Sequence, residues 1–133
     1  LAQTFAKQLP KDDEGVIVNL LDQRLLKPMP DFLSYGVSRA GLHWLTVTLA
    51  QALAPRIRVN AVAPGPTLKA ARQSPVHFER ERTSTVLGRG SDPQDICNAV
   101  RYLLDARAVT GQTITVDGGQ HLIWKLADIA GEA

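Results

Sequence analysis

Hydrophobic and polar positions along this chain fall into blocks whose period changes from helix to strand and back. Leu1, Ala2, Phe5, Ala6 and Leu9 recur at helical spacing, and Pro10 ends the run. Lys11-Asp12-Asp13-Glu14-Gly15 is a polar turn. Val16 to Leu21 is then a continuous β-branched and aliphatic run, the pattern of a strand covered on both faces. Gln23 to Leu33 carries Pro28 and Pro30 and reads as a loop. From Ser34 to about Leu53 the pattern is helical, with no formal charge between Ala40 and Pro55. Leu42, Trp44, Leu45, Val47, Leu49, Ala50, Ala52 and Leu53 circle most of that helix, which predicts burial on more than one side.

Beyond Pro55, Ile57-Arg58-Val59-Asn60-Ala61-Val62-Ala63 predicts a second strand, broken by Pro64-Gly65-Pro66-Thr67. Leu68 to Gly90 is a long polar connection, of the kind that more often forms a lid or binding segment than a plain link. Within it, Glu79-Arg80-Glu81-Arg82 reads as a solvated helix face. Asp92-Pro93-Gln94-Asp95 supplies an N-cap, a first-turn proline and an acidic third position. The helix it starts should run through Ile96, Ala99, Val100, Leu103 and Leu104. Thr113-Ile114-Thr115-Val116-Asp117 predicts a third strand, stopped by Gly118-Gly119. Strand, helix, strand, helix, strand is an α/β pattern with parallel strands and right-handed crossovers. Three such strands alone leave an apolar edge, so the pattern looks like half of a larger sheet.

Composition narrows the function classes. A length of 133 residues has room for one domain. A formal net charge of +2 is too small to argue for nucleic acid or an anionic membrane as partner. No apolar run approaches the roughly 18 residues needed to span a bilayer. The N-terminus lacks the charged and apolar regions of a signal peptide, and the single Cys97 fits a reducing compartment. The expectation is a soluble cytoplasmic protein. His43, His77 and His121 show no metal-ligand spacing, so no metal site is expected, and His43 reads as a packed or interface residue.

Candidate chemistry centres on Asp22 to Arg39. Tyr35 and Arg39 stand four apart, one turn along a helix, and a cation so placed can tune a phenol for proton transfer. Tyr35-x-x-x-Arg39, the strand leading to Pro64-Gly65, and Thr110-Gly111-Gln112 leading to Val116-Asp117-Gly118-Gly119 occur in an order and spacing that resemble the C-terminal half of the short-chain dehydrogenases/reductases. The resemblance covers about residues 1 to 124. It implies a doubly wound parallel-sheet Rossmann fold of about seven strands, of which this chain holds the last three. On that reading residues 1–133 are a partial Rossmann-type domain lacking the N-terminal Gly-rich nucleotide-binding half. Gly88-Arg89-Gly90 is a lone G-x-G in a loop and does not replace that half.

The resemblance also implies roles. Tyr35 corresponds to the general acid that protonates the substrate as hydride arrives from a nicotinamide. Arg39 stands where the family usually has a lysine that lowers the tyrosine pKa and binds the nicotinamide ribose. It keeps the charge, but its planar fork is not a conservative replacement. Pro64, Gly65 and Thr67 correspond to the turn beside the nicotinamide carboxamide, where glycine permits close backbone approach. Thirteen residues before Tyr35 the family usually carries a serine; here it is Asp22. An aspartate at that place resembles the pteridine reductase and dihydromonapterin reductase branch, in which it assists protonation of a pterin ring nitrogen. Asp22 as a simple cap of the following loop is the alternative.

The implied function is an NADPH-dependent reductase of a dihydropterin-like small molecule, with catalytic Asp22, Tyr35 and Arg39 and with NADH also open. Two alternatives stay open: a reductase of the same family acting on an ordinary carbonyl or alcohol, and a non-catalytic, truncated or degenerate relative retaining only an assembly surface. The helices over 1–9 and 34–53 predict a homodimer or homotetramer, because the family pairs them across a four-helix interface.

Overall fold

The computed structural model describes residues 1–124. Helix α1 (Ala2–Gln8) leads into strand β1 (Gly15–Leu20), and two short 3-10 turns, Gln23–Leu25 and Pro30–Phe32, precede helix α2 (Leu33–Leu53). Strand β2 (Ile57–Pro64), helices α3 (Pro75–Thr83) and α4 (Pro93–Asp105), strand β3 (Thr113–Val116) and a final 3-10 turn, Gln120–Leu122, complete the order. The sheet runs β1-β2-β3 and is parallel throughout. Gly15 pairs with Ile57 and Leu20 with Val62 on one side of β2, and Ala61 with Thr113 and Pro64 with Val116 on the other. This is an open, Rossmann-like α/β sheet with helices on both faces.

β2 is the central strand, and its side chains divide by the period of two. Ile57 and Val59 join Ala50 of α2 in one buried cluster, against which Ala6, Leu9 and Ile17 pack. Ala61 and Ala63 join Leu21 in a second, with Leu25 and Leu42 against it. These odd positions face α1 and α2. On the opposite face Arg58 donates to the carbonyls of Leu103 and Leu104 at 2.8 Å each and to that of Val109 at 3.1 Å. A strand guanidinium thus satisfies the carbonyl end of α4, which has no intrahelical donors of its own. Asn60, fully buried, donates to the Val109 carbonyl at 2.9 Å and accepts from the Gln112 amide at 3.0 Å. The fixed polar pair Arg58 and Asn60 therefore holds the α4–β3 connection against β2.

Three features differ from the pattern read in the sequence. β1 is only half buried along most of its length, and Leu20 is exposed, because it has a strand neighbour on one side only among the described residues. α2 is covered on one side, through Thr46 and Ala50, while Val37, Trp44 and Leu45 stand in solvent. The 68–90 connection contains α3, which starts where the Ser74 hydroxyl accepts from the His77 amide at 3.1 Å. Nor is its charged run simply solvated. Arg82 pairs with Asp92 at 2.9 Å and donates to the Ser91 carbonyl at 3.0 Å, tying α3 to the start of α4. The α4 start itself follows its sequence signature, with Asp92 and Asp95 forming a reciprocal capping box.

Candidate active site

β1 delivers Asp22 to the carboxyl-terminal edge of the sheet, one residue past the buried Leu21. Asp22 caps the first 3-10 turn, its Oδ1 accepting from the Arg24 amide at 2.8 Å. Its other oxygen, Oδ2, accepts from the Tyr35 hydroxyl at 2.8 Å and from Arg24 Nη1 at 3.2 Å. The cap and the meeting with Tyr35 are therefore not exclusive; one carboxylate does both, one oxygen for each.

Tyr35 lies in the first turn of α2, and its backbone carbonyl accepts from the Ser38 hydroxyl at 2.8 Å. Arg39, one turn on, lays its guanidinium over the Tyr35 ring, 5.2 Å from the centroid. It donates to the Leu20 carbonyl at 3.3 Å and, at the limit of hydrogen bonding, to Ser38 Oγ at 3.5 Å. The cation thus flanks the face of the ring while the carboxylate meets its hydroxyl.

In this arrangement Arg39 acts on Tyr35 in the direction read from their spacing but is outweighed. The Tyr35 pKa is raised above the ordinary 10.0, first by burial, then by the hydrogen bond to Asp22 and the negative charge of Asp22. Arg39 and Arg24 act in the lowering direction and are outweighed. A carboxylate touching the phenolic oxygen disfavours a second negative charge there more than a cation over the ring favours it. Tyr35 is accordingly a protonated donor at neutral pH.

Asp22, Pro64 and Gly65 line a cleft of about 910 Å³ together with Arg24, Phe32 and Phe78. It opens at the carboxyl ends of β1 and β2, the position where parallel α/β sheets take ligands. α3 forms one wall. There Glu81 accepts from Gln73 at 2.9 Å and from Gln120 at 3.2 Å, joining the helix to the turn after β3.

Two of the turn residues make contacts within the fold that were not read from the sequence. A Cβ on Gly65 would lie 2.6 Å from the Asp117 Cβ and 2.7 Å from its Cα, so this glycine admits the end of β3. The Thr67 hydroxyl is turned inward, 2.6 Å from Ser91 Oγ and 3.1 Å from the Gly65 carbonyl. Asp117 is itself buried and accepts from the Gly119 and His121 amides and from the His121 ring, at 2.9, 2.9 and 2.7 Å. The Gly118-Gly119 stop after β3 is thus a folding device. Gly90 serves the same end, since a Cβ there would strike the Pro66 carbonyl. His43 is exposed and sits 3.2 Å from the Thr113 hydroxyl. No group of three metal-ligating side chains converges among the described residues. Arg24 and Glu81 were not singled out in the sequence; the Asp-x-Arg spacing of an Asx turn was the only local sign of Arg24.

The open parallel sheet, with an aspartate and a tyrosine meeting at the carboxyl ends of its strands, defines an α/β protein of Rossmann type. Residues 1–121 match the family model described as enoyl-(acyl carrier protein) reductase, and the chain belongs to the short-chain dehydrogenase/reductase family. It is 50% identical to the FolM alternative dihydrofolate reductase 1 of Brucella canis, solved in complex with NADP, with a TM-score of 0.92 over 97% of this chain and 52% of that one. It is 39% identical over 120 residues to the 3beta-hydroxysteroid dehydrogenase 1 of Eggerthella lenta, covering 81% of this chain and 44% of that protein. It is 35% identical over 124 residues to the short-chain dehydrogenase/reductase homolog YusR of Bacillus subtilis, covering 91% of this chain and 95% of that protein. Apart from YusR, the chain spans about half the length of the relatives named here.

Proposed function

We propose that this chain is the substrate-side half of an NADPH-dependent short-chain reductase acting on a dihydropterin-like substrate. The observation that carries the reading is the 2.8 Å hydrogen bond from Tyr35, which stands outside the cleft lining, to Asp22, which is part of it. A phenol resting on a carboxylate is a protonated donor held at a fixed place, and a carboxylate can also accept from the N–H groups of a pterin ring. The likeness to FolM, a dihydrofolate reductase solved with NADP, supports the same substrate class and cofactor.

The donor set suits a nicotinamide nucleotide. Among the described residues, the hydrogen bonds of Arg39 are the long ones to Leu20 and Ser38, which leaves donors on its guanidinium for ribose hydroxyls beside the Tyr35 hydroxyl. The Pro64–Thr67 turn presents backbone polar groups at the strand ends, although Thr67 would have to leave Ser91 for its hydroxyl to take part. The cofactor, when bound, supplies hydride. Tyr35 donates the proton, Asp22 holds the hydroxyl and faces the substrate, and Arg39 holds the ring from its other side. The pyrophosphate site belongs to the Gly-rich half that relatives of full length possess. Self-association through α1 and α2 and a cytoplasmic location complete the reading; the free, exposed Cys97 suits a reducing compartment. No helix among the described residues is long and apolar enough to cross a membrane.

The test is a panel of dihydropterins and simple ketones assayed with NADPH and NADH, using the chain alone and joined to the nucleotide-binding half of a full-length relative. Turnover of dihydropterins that falls in Asp22→Ser supports the proposal. Ketone turnover with Asp22→Ser unchanged favours the ordinary carbonyl reductase, a reading supported by the hydroxysteroid dehydrogenase relative. Absence of turnover on every substrate favours the non-catalytic alternative.

A further inference from the structure

Two of the three donors that meet the Asp22 carboxylate come from one residue. The Arg24 amide holds Oδ1, and Arg24 Nη1 reaches Oδ2, the oxygen that also takes the Tyr35 hydroxyl. Any residue but proline at position 24 would supply the amide, so the cap alone does not call for arginine. The guanidinium adds a second constraint, and it is itself held: its carbon lies 4.6 Å from the centroid of the Phe32 ring. Phe32 ends the turn that precedes α2, three residues before Tyr35. The Arg24 side chain is three-quarters buried and that of Asp22 more so, which limits how far water can loosen the pair. Asp22, Arg24, Phe32 and Tyr35 therefore form a closed chain of contacts joining the end of β1 to the start of α2.

We infer that Arg24 is a positioning residue: clamped between Asp22 and the Phe32 ring, it holds the carboxylate with Oδ2 turned to the Tyr35 hydroxyl. The inference rests on reading Asp22 and Tyr35 as the proton-donating pair, but its geometry can be tested without catalysis. The charged groups acting on Tyr35 are Asp22, Arg39 and Arg24. Asp22 raises the phenol pKa and both cations lower it, so the sign of the change on removing Arg24 distinguishes two roles. A guanidinium that is only a nearby charge leaves a higher Tyr35 pKa behind when it is removed. One that positions Asp22 leaves a lower pKa, because the carboxylate swings off the hydroxyl and its larger raising effect goes with it.

The chain holds two tyrosines, so phenolate absorbance in a Tyr102→Phe background reports Tyr35 alone. Tyr102 is exposed on α4, away from these contacts. Asp22→Asn sets the reference for a lost carboxylate. The titration midpoint of Arg24→Met is expected to fall toward that reference by about half a pH unit or more. Arg24→Lys, which keeps the charge but loses the fork and the ring stacking, is expected to fall as well, and is the variant to read if Arg24→Met does not fold by circular dichroism. Phe32→Ala should lower the midpoint, and Phe32→Trp, which keeps a stacking surface, should restore it. A midpoint that rises or stays in place in both Arg24 variants overturns the positioning role. The titration uses neither cofactor nor substrate, so failure of the reductase proposal would show in the assays and not here.

Discussion

The Tyr35 hydroxyl donates to Asp22 Oδ2 at 2.8 Å, and this contact, more than the cation beside it, sets the protonation state of the site. Burial and the carboxylate raise the Tyr35 pKa above 10.0. Asp22→Asn is expected to lower the phenol titration midpoint, and Arg39→Met to raise it further. The sign carries over to stability. A group with a raised folded pKa contributes stability that is complete below the unfolded value and lost as pH climbs through the folded one. The loss attributable to Tyr35 therefore begins near pH 10.0 and continues upward, and it should be absent in Tyr35→Phe. Urea unfolding across that range checks it.

On the proposed function Tyr35 is the proton donor, and Tyr35→Phe is expected to lower kcat about 10²- to 10⁴-fold, the usual range for a positioned acid. Arg39→Lys places a compact ammonium where the guanidinium lies over the ring. It is expected to raise turnover several-fold. A protein inactive with either cation would count against catalysis.

Gly65 is closed off by the end of β3, with Asp117 atoms 2.6 and 2.7 Å from where a Cβ would stand. Because one of these is backbone, Gly65→Ala cannot be relieved by a rotamer change. The expected cost is about 1–3 kcal/mol, read by denaturant unfolding.

Arg58 reaches from β2 to the carbonyl end of α4 with two charge-assisted contacts, to Leu103 and Leu104, and to the Val109 carbonyl beyond the helix with a third. Arg58→Met leaves the stem and removes the donors, and should destabilise the fold by about 2 kcal/mol. Amide exchange should accelerate first in the last turn of α4 and in β3.

The outer face of α2 exposes Trp44 and Leu45, at 66% and 45%, whereas Leu49 packs against the core cluster of Ala50, Ile57 and Val59. Trp44→Lys and Leu45→Lys are expected to abolish the proposed self-association, measured by sedimentation against the unaltered chain, with the melting temperature of the subunit retained. A change at Leu49 would confuse interface with core.

Much of the fold is legible along the chain because it is set by contacts between near neighbours. The β2 run from Ile57 to Ala63, the cap at Asp92 and Asp95, and the stop at Gly118-Gly119 each follow from local backbone and side-chain preferences. The 68–90 connection was harder to read, because α3 has few apolar positions and is held through Arg82 and Glu81, whose partners lie on other elements. The exposed half of α2 was hidden for a related reason. Hydropathy says that a face is apolar, not that anything covers it.

The sequence by itself determined the order of the elements, the parallel α/β class and the one-turn spacing of Tyr35 and Arg39, and its resemblance to the family made Asp22 and Tyr35 candidates for one site. Only the tertiary structure decided that Asp22 presents one oxygen to its own loop and the other to Tyr35, and that Arg24 braces it. It also decided that Thr67 turns to Ser91 and that Gly65 makes room for Asp117. The physical reason is range. Periodicity and capping are fixed by residues within one helical turn of each other, whereas these contacts depend on strand register and on how the loops fold back over the sheet.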